Sequence, residues 1–272
     1  MGNPSIHARS FDLRYDEMDG RGEATPVALL SLLEEAAFTH CEESGWGVYR
    51  LLDAGYGWML LRGGLEMRRY PAYRERFRVE TWLSSTRRFY GEREYRVVAE
   101  GGEELGFARS LWAFMSLERK RPVPVLEEIV RAWAPEGTTA GDIPLGEVGF
   151  ALPGEGAVDA LRERAFGVRA AEIDTNGHVN NVNYLAWALE SLAGEAAGDR
   201  FLASLRGHYR REVAYGSQVR SLALPTPEGY RHGVLATPPG GAEPYLAAAA
   251  LSAWKPRAAA AGRTAETRDS AA

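Results

Sequence analysis

Cysteine is nearly absent from this sequence, since Cys41 is the single cysteine among 272 residues. One thiol can form neither an internal disulfide nor a cysteine metal cluster, so the chain must fold without cross-links. The sequence also lacks any apolar run near the roughly 20 residues that a membrane-spanning helix requires. Its first residues, MGNPSIHARSFDLRY, lack the apolar core of a signal peptide. These absences predict a cytoplasmic protein without a membrane span.

Positive charge is also scarce, because 32 Lys and Arg residues are outnumbered by 37 Asp and Glu residues, giving a net charge of −5. This balance argues against nucleic-acid binding. The sequence contains no phosphate-binding loop, metal-ligand cluster or cofactor motif, so we expect neither a cofactor nor a metal. What remains is the composition of a globular protein, 45% apolar and 25% charged, with enough residues for two domains.

The residue pattern predicts an α+β fold in which one arrangement occurs twice. Apolar residues at three- and four-residue spacing indicate a buried helix over residues 26–43, and the β-branched and aromatic runs after it indicate an antiparallel sheet. A stretch rich in Pro and Gly, residues 122–160, is predicted to be a linker. The pattern then restarts with a strand, a helix over residues 182–197, and further strands.

The restart is an internal repeat that can be tested residue by residue. At an offset of 155, the residues that match are Glu17, Asp19, Gly22, Val27, Leu30 and Glu35 with Glu172, Asp174, Gly177, Val182, Leu185 and Glu190. At an offset of 142, Met67–Tyr73 agrees with Tyr209–Tyr215 at two Arg, one Ala and one Tyr. We therefore predict domains at residues 1–121 and 161–257, followed by a disordered tail over residues 258–272.

Polar residues are concentrated at the strand-to-helix junction of the second copy, in the segment Asp174-Thr-Asn176-Gly-His178. Asn and Asp commonly cap helices, so the segment is compatible with a capping loop that carries a surface histidine. The free amides at the start of a helix also favour negative charge on a ligand oxygen, as a catalytic loop requires. The two interpretations are compatible with each other.

The polar set of the second copy is not repeated in the first. The replacements in the first copy are Arg21 for Asn176, Glu23 for His178 and Tyr70 for Glu212. Only the acid is kept, as Asp19. Residues that folding required would be needed in both copies, so we predict one catalytic copy and one copy with another task.

These motifs resemble the plant and bacterial acyl-acyl carrier protein (acyl-ACP) thioesterases. The resemblance rests on D-x-N-x-H-V-N-N before a helix, on Y-R-R-E in a later strand, and on Trp58-Met59, Arg69-Tyr70-Pro71 and SLWAFMSLERKRP in the first half. It covers roughly residues 10–256. It implies a tandem (double) hotdog fold, with two long helices each wrapped by antiparallel sheet.

The resemblance also implies a reaction and a partner. The substrate would be a fatty acyl chain on the phosphopantetheine arm of acyl carrier protein, hydrolysed to free fatty acid and holo-carrier protein. The N-terminal half would shape the acyl pocket, with Trp58 and Met59 as our predicted substrate-binding residues. The predicted catalytic residues are Asp174, Asn176, His178 and Glu212.

One departure from the family bears on the mechanism. Plant members usually have Cys after Y-R-R-E, where this sequence has Val213, so no thiolate is available unless the fold brings Cys41 to the site. We therefore expect attack by water, with Glu212 and His178 as the general-base pair and Asp174 as the alternative base. Backbone amides at the start of the helix, with Asn176, would hold the oxyanion.

Several alternatives stay open at the level of sequence. They are an acyl-CoA thioesterase, a hotdog acyl-thioester dehydratase or hydratase, and a non-catalytic acyl-binding protein. Carrier protein is preferred over coenzyme A only through the resemblance. A monomer and a homodimer are both compatible with the sequence, because tandem duplication already supplies one hotdog pairing.

Overall fold

The computed structural model describes residues 6–133, 137–152, 160–193 and 199–257. The strands of the first half are β1 His7–Phe11, β2 Tyr56–Met67, β3 Phe77–Arg87, β4 Tyr90–Ala99, β5 Glu104–Ser116 and β6 Arg121–Pro122. Those of the second half are β7 Arg162–Gly167, β8 Arg200–Tyr209, β9 Gln218–Pro225, β10 Gly229–Thr237 and β11 Tyr245–Pro256. The helices are α1 Pro26–Glu43, α2 Val48–Asp53, α3 Glu127–Trp133 and α4 Asn181–Glu190.

All of these strands belong to one antiparallel sheet with a nearly symmetric order, β1-β3-β4-β5-β2-β8-β11-β10-β9-β7, and β6 pairs with β5 off this path. The two halves join where β2 pairs with β8, and there Gly64 pairs with Arg206. These two residues correspond to each other at the 142-residue offset, so a pseudo-twofold axis passes between them. With one long helix on each half of the sheet, this is the tandem hotdog fold that the resemblance implies.

Helix α1 begins and ends where the sequence pattern predicts. The Thr25 hydroxyl accepts a hydrogen bond from the backbone N–H of Ala28, 3.1 Å away, and Pro26 occupies the first helical position, which needs no N–H donor. The buried face of α1 packs on the sheet through Leu29 and Leu33, and the helix also contacts α4. The central helices of both halves thus share one face of the sheet.

Helix α4 is shorter than predicted. It ends at Glu190, and residues 194–197 of the predicted helix lie outside the described residues, as does the predicted tail. The backbone N–H of Ser191 donates to the Ser221 hydroxyl on β9 at 3.2 Å, while the Ser191 hydroxyl donates back to the carbonyl of Ala188. These bonds compete with continuation of the helix.

The linker runs across the sheet face opposite the helices. Gly64 faces Ile143 of the linker, whereas the next residue, Leu65, faces the helical core, because successive residues of a strand point to opposite faces. Arg62 of β2 donates to the carbonyl of Leu145 at 3.0 Å. Further along the linker, the carbonyl of Val148 lies within hydrogen-bond distance of two side chains of the second half, those of His208 in β8 and Arg210 just after it. The linker is therefore fastened to both halves, and the domain boundaries drawn from the sequence stay a prediction.

Within the described parts of the chain, none of the helices is both long enough and apolar enough to cross a membrane.

Candidate active site

The loop before α4 is shaped by the carboxylate of Asp174. Its Oδ1 accepts hydrogen bonds from the backbone N–H groups of Asn176 at 2.8 Å and His178 at 3.2 Å, and Oδ2 accepts one from the Asn176 amide at 3.3 Å. Gly177 allows the turn, with φ at 77° in the left-handed region that disfavours other residues. Asp174 thus fixes the loop and orients the Asn176 side chain.

The first copy contains the same loop with different side chains. Asp19 Oδ1 accepts from the backbone N–H groups of Arg21 at 2.9 Å and Glu23 at 3.2 Å, and Gly22 has φ of 75°. The loop geometry therefore needs the acid and the glycine in both copies. It does not need the amide and imidazole of the second copy.

The turn that precedes each loop is repeated as well. Arg169 donates from Nε to Glu172 at 3.1 Å, and Arg14 donates from Nε to Glu17 at 2.9 Å. Both glutamates are buried. Loop and turn together form one structural unit that occurs twice in the chain.

His178 and Glu212 meet beside the start of α4. His178 Nε2 lies 3.7 Å from Glu212 Oε2, within ion-pair range but longer than a hydrogen bond. Their side chains are 55% and 71% exposed, respectively. Catalytic contacts are often this long before substrate binds. The structure therefore brings together all four predicted catalytic residues, and their catalytic role stays a prediction.

Two tyrosine hydroxyl groups form hydrogen bonds with the backbone of the segment that carries Glu212. Val213 is 1% exposed, and its backbone N–H donates to the Tyr184 hydroxyl of α4 at 2.9 Å. The Tyr245 hydroxyl donates to the carbonyl of Glu212. Val213 thus serves as an anchor, and the neighbouring Glu212 side chain is left facing solvent.

In the first copy, the loop forms ion pairs with a cation from the other half. Arg257, directly after β11, forms an ion pair with Glu23 and lies 3.8 Å from Asp19. Tyr70, which replaces Glu212, is buried and donates to the carbonyl of Leu202 at 3.0 Å. The first copy's loop has become a contact between the halves.

An apolar cavity lies beside the start of α4, between α1 and the sheet. Both halves supply its walls, through α1, β2 and β5 on one side and α4 and β8 on the other. Its apolar lining includes Leu30, Leu33, Leu60, Val182, Leu185 and Leu205. The largely apolar lining suits an alkyl chain, and the start of α4 lies at the same cavity.

Glu34 on α1 also lines this cavity, and the sequence reasoning missed it. Its Oε2 accepts a hydrogen bond of 2.8 Å from the amide of Asn180, the residue that caps α4. Burial raises the pKa of Glu34; the Asn180 hydrogen bond opposes this rise, and the nearby Asp174 adds to it. The repeat contained the signal, because the residue at the 155-residue offset from Glu34 is Leu189.

The structure places Trp58 and Met59 away from this cavity. Trp58 packs between Phe114 and Trp133, with ring centroids 4.9 and 5.6 Å away, and Met59 is exposed. The next residue of β2, Leu60, is the one that lines the cavity. The predicted substrate contacts of Trp58 and Met59 therefore have no support from this geometry.

Cys41 is buried in the hydrophobic cluster formed around Trp46 and Phe114, and burial raises the pKa of its thiol. It does not line the cavity beside α4. A buried thiol of this kind is a poor nucleophile. The fold therefore does not supply the thiolate that Val213 fails to provide.

Comparison with known protein families gives two adjacent matches. Residues 4–133 match the model of the acyl-ACP thioesterase N-terminal domain, and residues 156–236 match that of the acyl-ACP thioesterase C-terminal domain. Among curated relatives, a chloroplastic acyl-ACP hydrolase of Cuphea viscosissima is 27% identical over 237 residues. The alignment covers 82% of this chain but 56% of that protein. The chain thus spans just over half the length of this relative.

Solved structures resemble the whole fold. A 12:0-ACP thioesterase from Umbellularia californica superposes with a TM-score of 0.78 at 22% identity, covering 94% of this chain and 100% of that one. An acyl-ACP thioesterase from Bacteroides thetaiotaomicron gives a TM-score of 0.78 at 21% identity, with 92% and 98% covered. At these identities the likeness establishes the fold.

Proposed function

Because the chain belongs to the acyl-ACP thioesterase family, we propose that it hydrolyses fatty acyl-ACP thioesters to free fatty acid and holo-carrier protein. The observation that carries this proposal is the polar set at the start of α4, next to an apolar cavity and present in only one copy of the repeat. A general-base pair, a helix start and an alkyl cavity are what such a reaction requires.

In the proposed mechanism, water attacks the thioester carbonyl while Glu212, assisted by His178, takes the proton. The carbonyl oxygen becomes an oxyanion, held by backbone N–H groups at the start of α4 and by the Asn176 amide. The carbon–sulfur bond then breaks, and the proton returns to the departing sulfur. Asp174 acts as a positioning residue, because its carboxylate is already used in holding the loop.

The exposure of the catalytic pair supports a carrier protein as the partner. His178 and Glu212 lie on the surface, where water weakens electrostatic interactions. Docking of a protein-sized carrier over this surface would exclude solvent and strengthen those interactions. Coenzyme A is much smaller and would cover less of it.

The plant relative's chloroplastic location is not carried over to this chain, and a cytoplasmic location and a homodimer both stay predictions.

The test is release of free thiol from a saturated acyl-ACP, compared with the same acyl chain on coenzyme A. We expect kcat/KM to be higher for the carrier-bound substrate. Glu212→Ala and His178→Ala should each lower kcat by at least about 10²-fold. Tight acyl binding without thiol release in the unaltered protein would contradict the proposal.

The matched control is Glu23→Gln in the first copy, at the position that corresponds to His178. This change weakens the contact with Arg257 but leaves the catalytic loop intact, so turnover should stay within about twofold to threefold of the unaltered protein. Equal losses of turnover in both copies would contradict the division of labour between them.

A further inference from the structure

The polar side chains that line the cavity include Glu34 and Tyr209, one from each half of the chain, besides Tyr95, Arg109, Ser110 and Asn181. Glu34 comes from α1, and Tyr209 is the last residue of β8. Both side chains line the same cavity, where burial raises the pKa of Tyr209 and the Glu34 carboxylate adds to this rise. Polar groups in such surroundings are costly unless they have hydrogen-bond partners.

Neither group is fully partnered. Among the residues that the structure describes, none forms a hydrogen bond with the Tyr209 hydroxyl. Glu34 receives one hydrogen bond, from Asn180 to Oε2, and its second oxygen receives none from the described residues. An acceptor and a donor on the cavity wall are therefore left for a group that enters the cavity.

The repeat shows that folding does not require these groups. At the two offsets that relate the copies, Glu34 corresponds to Leu189 and Tyr209 corresponds to Met67. Both replacements are apolar and pack in the core of the molecule. The polar pair thus occurs only on the side of the molecule that carries the cavity and the catalytic loop.

The position of the pair indicates which part of a ligand it would meet. Asn180, which holds Glu34, caps α4 and bonds through its Oδ1 to the backbone N–H of Val182. This is the helix start at which the proposed function places the thioester carbonyl. The pair therefore lies close to the thioester end of a bound chain, whose first carbons would pass it.

We propose that this cavity selects acyl chains that carry a hydroxyl group close to the thioester, as in 3-hydroxyacyl-ACP. A hydroxyl can donate to the Glu34 carboxylate and accept from the Tyr209 O–H at the same time. A saturated chain would displace solvent from both groups and leave them unpaired. The proposal rests on the proposed thioesterase function and names its substrate class.

The experiment compares kcat/KM for 3-hydroxyacyl-ACP and saturated acyl-ACP of matched chain length, across a graded series of lengths. The unaltered protein should favour the hydroxylated substrate by at least about 10-fold, since sites built to bond a hydroxyl discriminate against analogues that lack it. Tyr209→Phe and Glu34→Leu should abolish this preference, so that within each variant kcat/KM for the hydroxylated substrate falls to the value for the saturated substrate.

Glu35→Gln is the matched control, because Glu35 is the exposed neighbour of Glu34 on the same helix. It should leave both activities and their ratio unchanged. If Glu34→Leu fails to fold, Tyr209→Phe, which keeps the ring, still tests the proposal. Equal kcat/KM for the two substrates, or a preference that survives Tyr209→Phe, would overturn it.

Failure of the proposed function would look different. If neither substrate released thiol, the thioesterase proposal would fail, and the selectivity would be judged by binding of the free acids. Calorimetry should then give a lower Kd for the 3-hydroxy acid than for the saturated acid of the same length, by about 10-fold. Equal Kd values would overturn the selectivity.

Discussion

The loops at Asp19–Glu23 and Asp174–His178 share a backbone and differ in chemistry. Each has an acid that accepts two backbone N–H groups and a glycine with positive φ. In the first copy, Asp19 and Glu23 also pair with Arg257 from the other half; in the second copy, His178 faces solvent beside a cavity. The comparison separates what the loop needs for its shape from what is available for catalysis.

The largest expected effect tests that separation at the acid that both loops share. Asp19→Ala and Asp174→Ala each remove two hydrogen bonds to backbone N–H groups, so both should lower the free energy of unfolding by about 1–2 kcal/mol, as measured with urea. Only Asp174→Ala should lower kcat, by at least about 10²-fold, because only that loop orients Asn176.

Asp19→Ala serves as the control for the structural part of the effect. A comparable loss of kcat in both variants would show that loop stability, and not the orientation of Asn176, limits turnover. A loss in neither would remove Asp174 from the catalytic machinery.

The next prediction compares the buried histidines of the two halves, whose expected effect is on stability alone. Burial, with help from Arg93, lowers the pKa of His40 to about 3, and burial lowers that of His232 to about 4. In the unfolded chain both titrate near their ordinary pKa of about 6.5, so below that pH the unfolded state binds more protons than the folded state. Each should therefore cost up to about 2 kcal/mol of stability between pH 7 and pH 5.

The measurement is urea unfolding at pH 7 and pH 5 for the unaltered protein, His40→Gln and His232→Gln. Each substitution should reduce the loss of stability on acidification, even where it lowers stability at pH 7. If only one of them did so, the two halves would differ in how they hold their histidines. A pH-independent unfolding free energy in the unaltered protein would contradict the expectation for both.

The smallest effect concerns the contact that replaced the first copy's site. Arg257→Ala should lower the free energy of unfolding by about 1 kcal/mol, because a partly buried guanidinium that pairs with Asp19 and Glu23 is lost. Arg220→Ala, which breaks a more exposed pair with Glu163, should cost less than about 0.5 kcal/mol. Equal costs in urea unfolding would show that Arg257 is an ordinary surface charge.

The parts that followed from the sequence are those encoded locally or by the repeat. Helix α1 could be located because Pro26 and the apolar spacing lie within the segment itself, and the polar set could be located because the copies differ there. The end of α4 could not be located, since it depends on Ser221, a residue of a distant strand. The first copy's task was equally hidden, because Arg257 is separated from Glu23 by 234 positions in the chain.

Glu34 illustrates a different limit. In the sequence it is one of two adjacent glutamates on an amphipathic helix, where a solvated position is the ordinary expectation. Its position in the cavity depends on how α1 and α4 pack against each other, and no local pattern specifies that. The repeat does carry a signal, because Glu34 lies next to the matched position Glu35 but corresponds to Leu189 at the same offset.

The residue pair at the centre of the sheet, Gly64 and Arg206, fits only when the two unlike halves of the chain pair with each other. Gly64 and Arg206 lie on the pseudo-twofold axis, and a Cβ atom at position 64 would approach Arg206 Cγ to 3.2 Å and Ile143 to 2.7 Å. In a symmetric dimer of the second half alone, Arg206 would pair with another Arg206 at this position. Two long side chains of like charge would then share the space that one arginine now shares with a glycine. The seam therefore favours pairing of the first half with the second over pairing of the second half with itself.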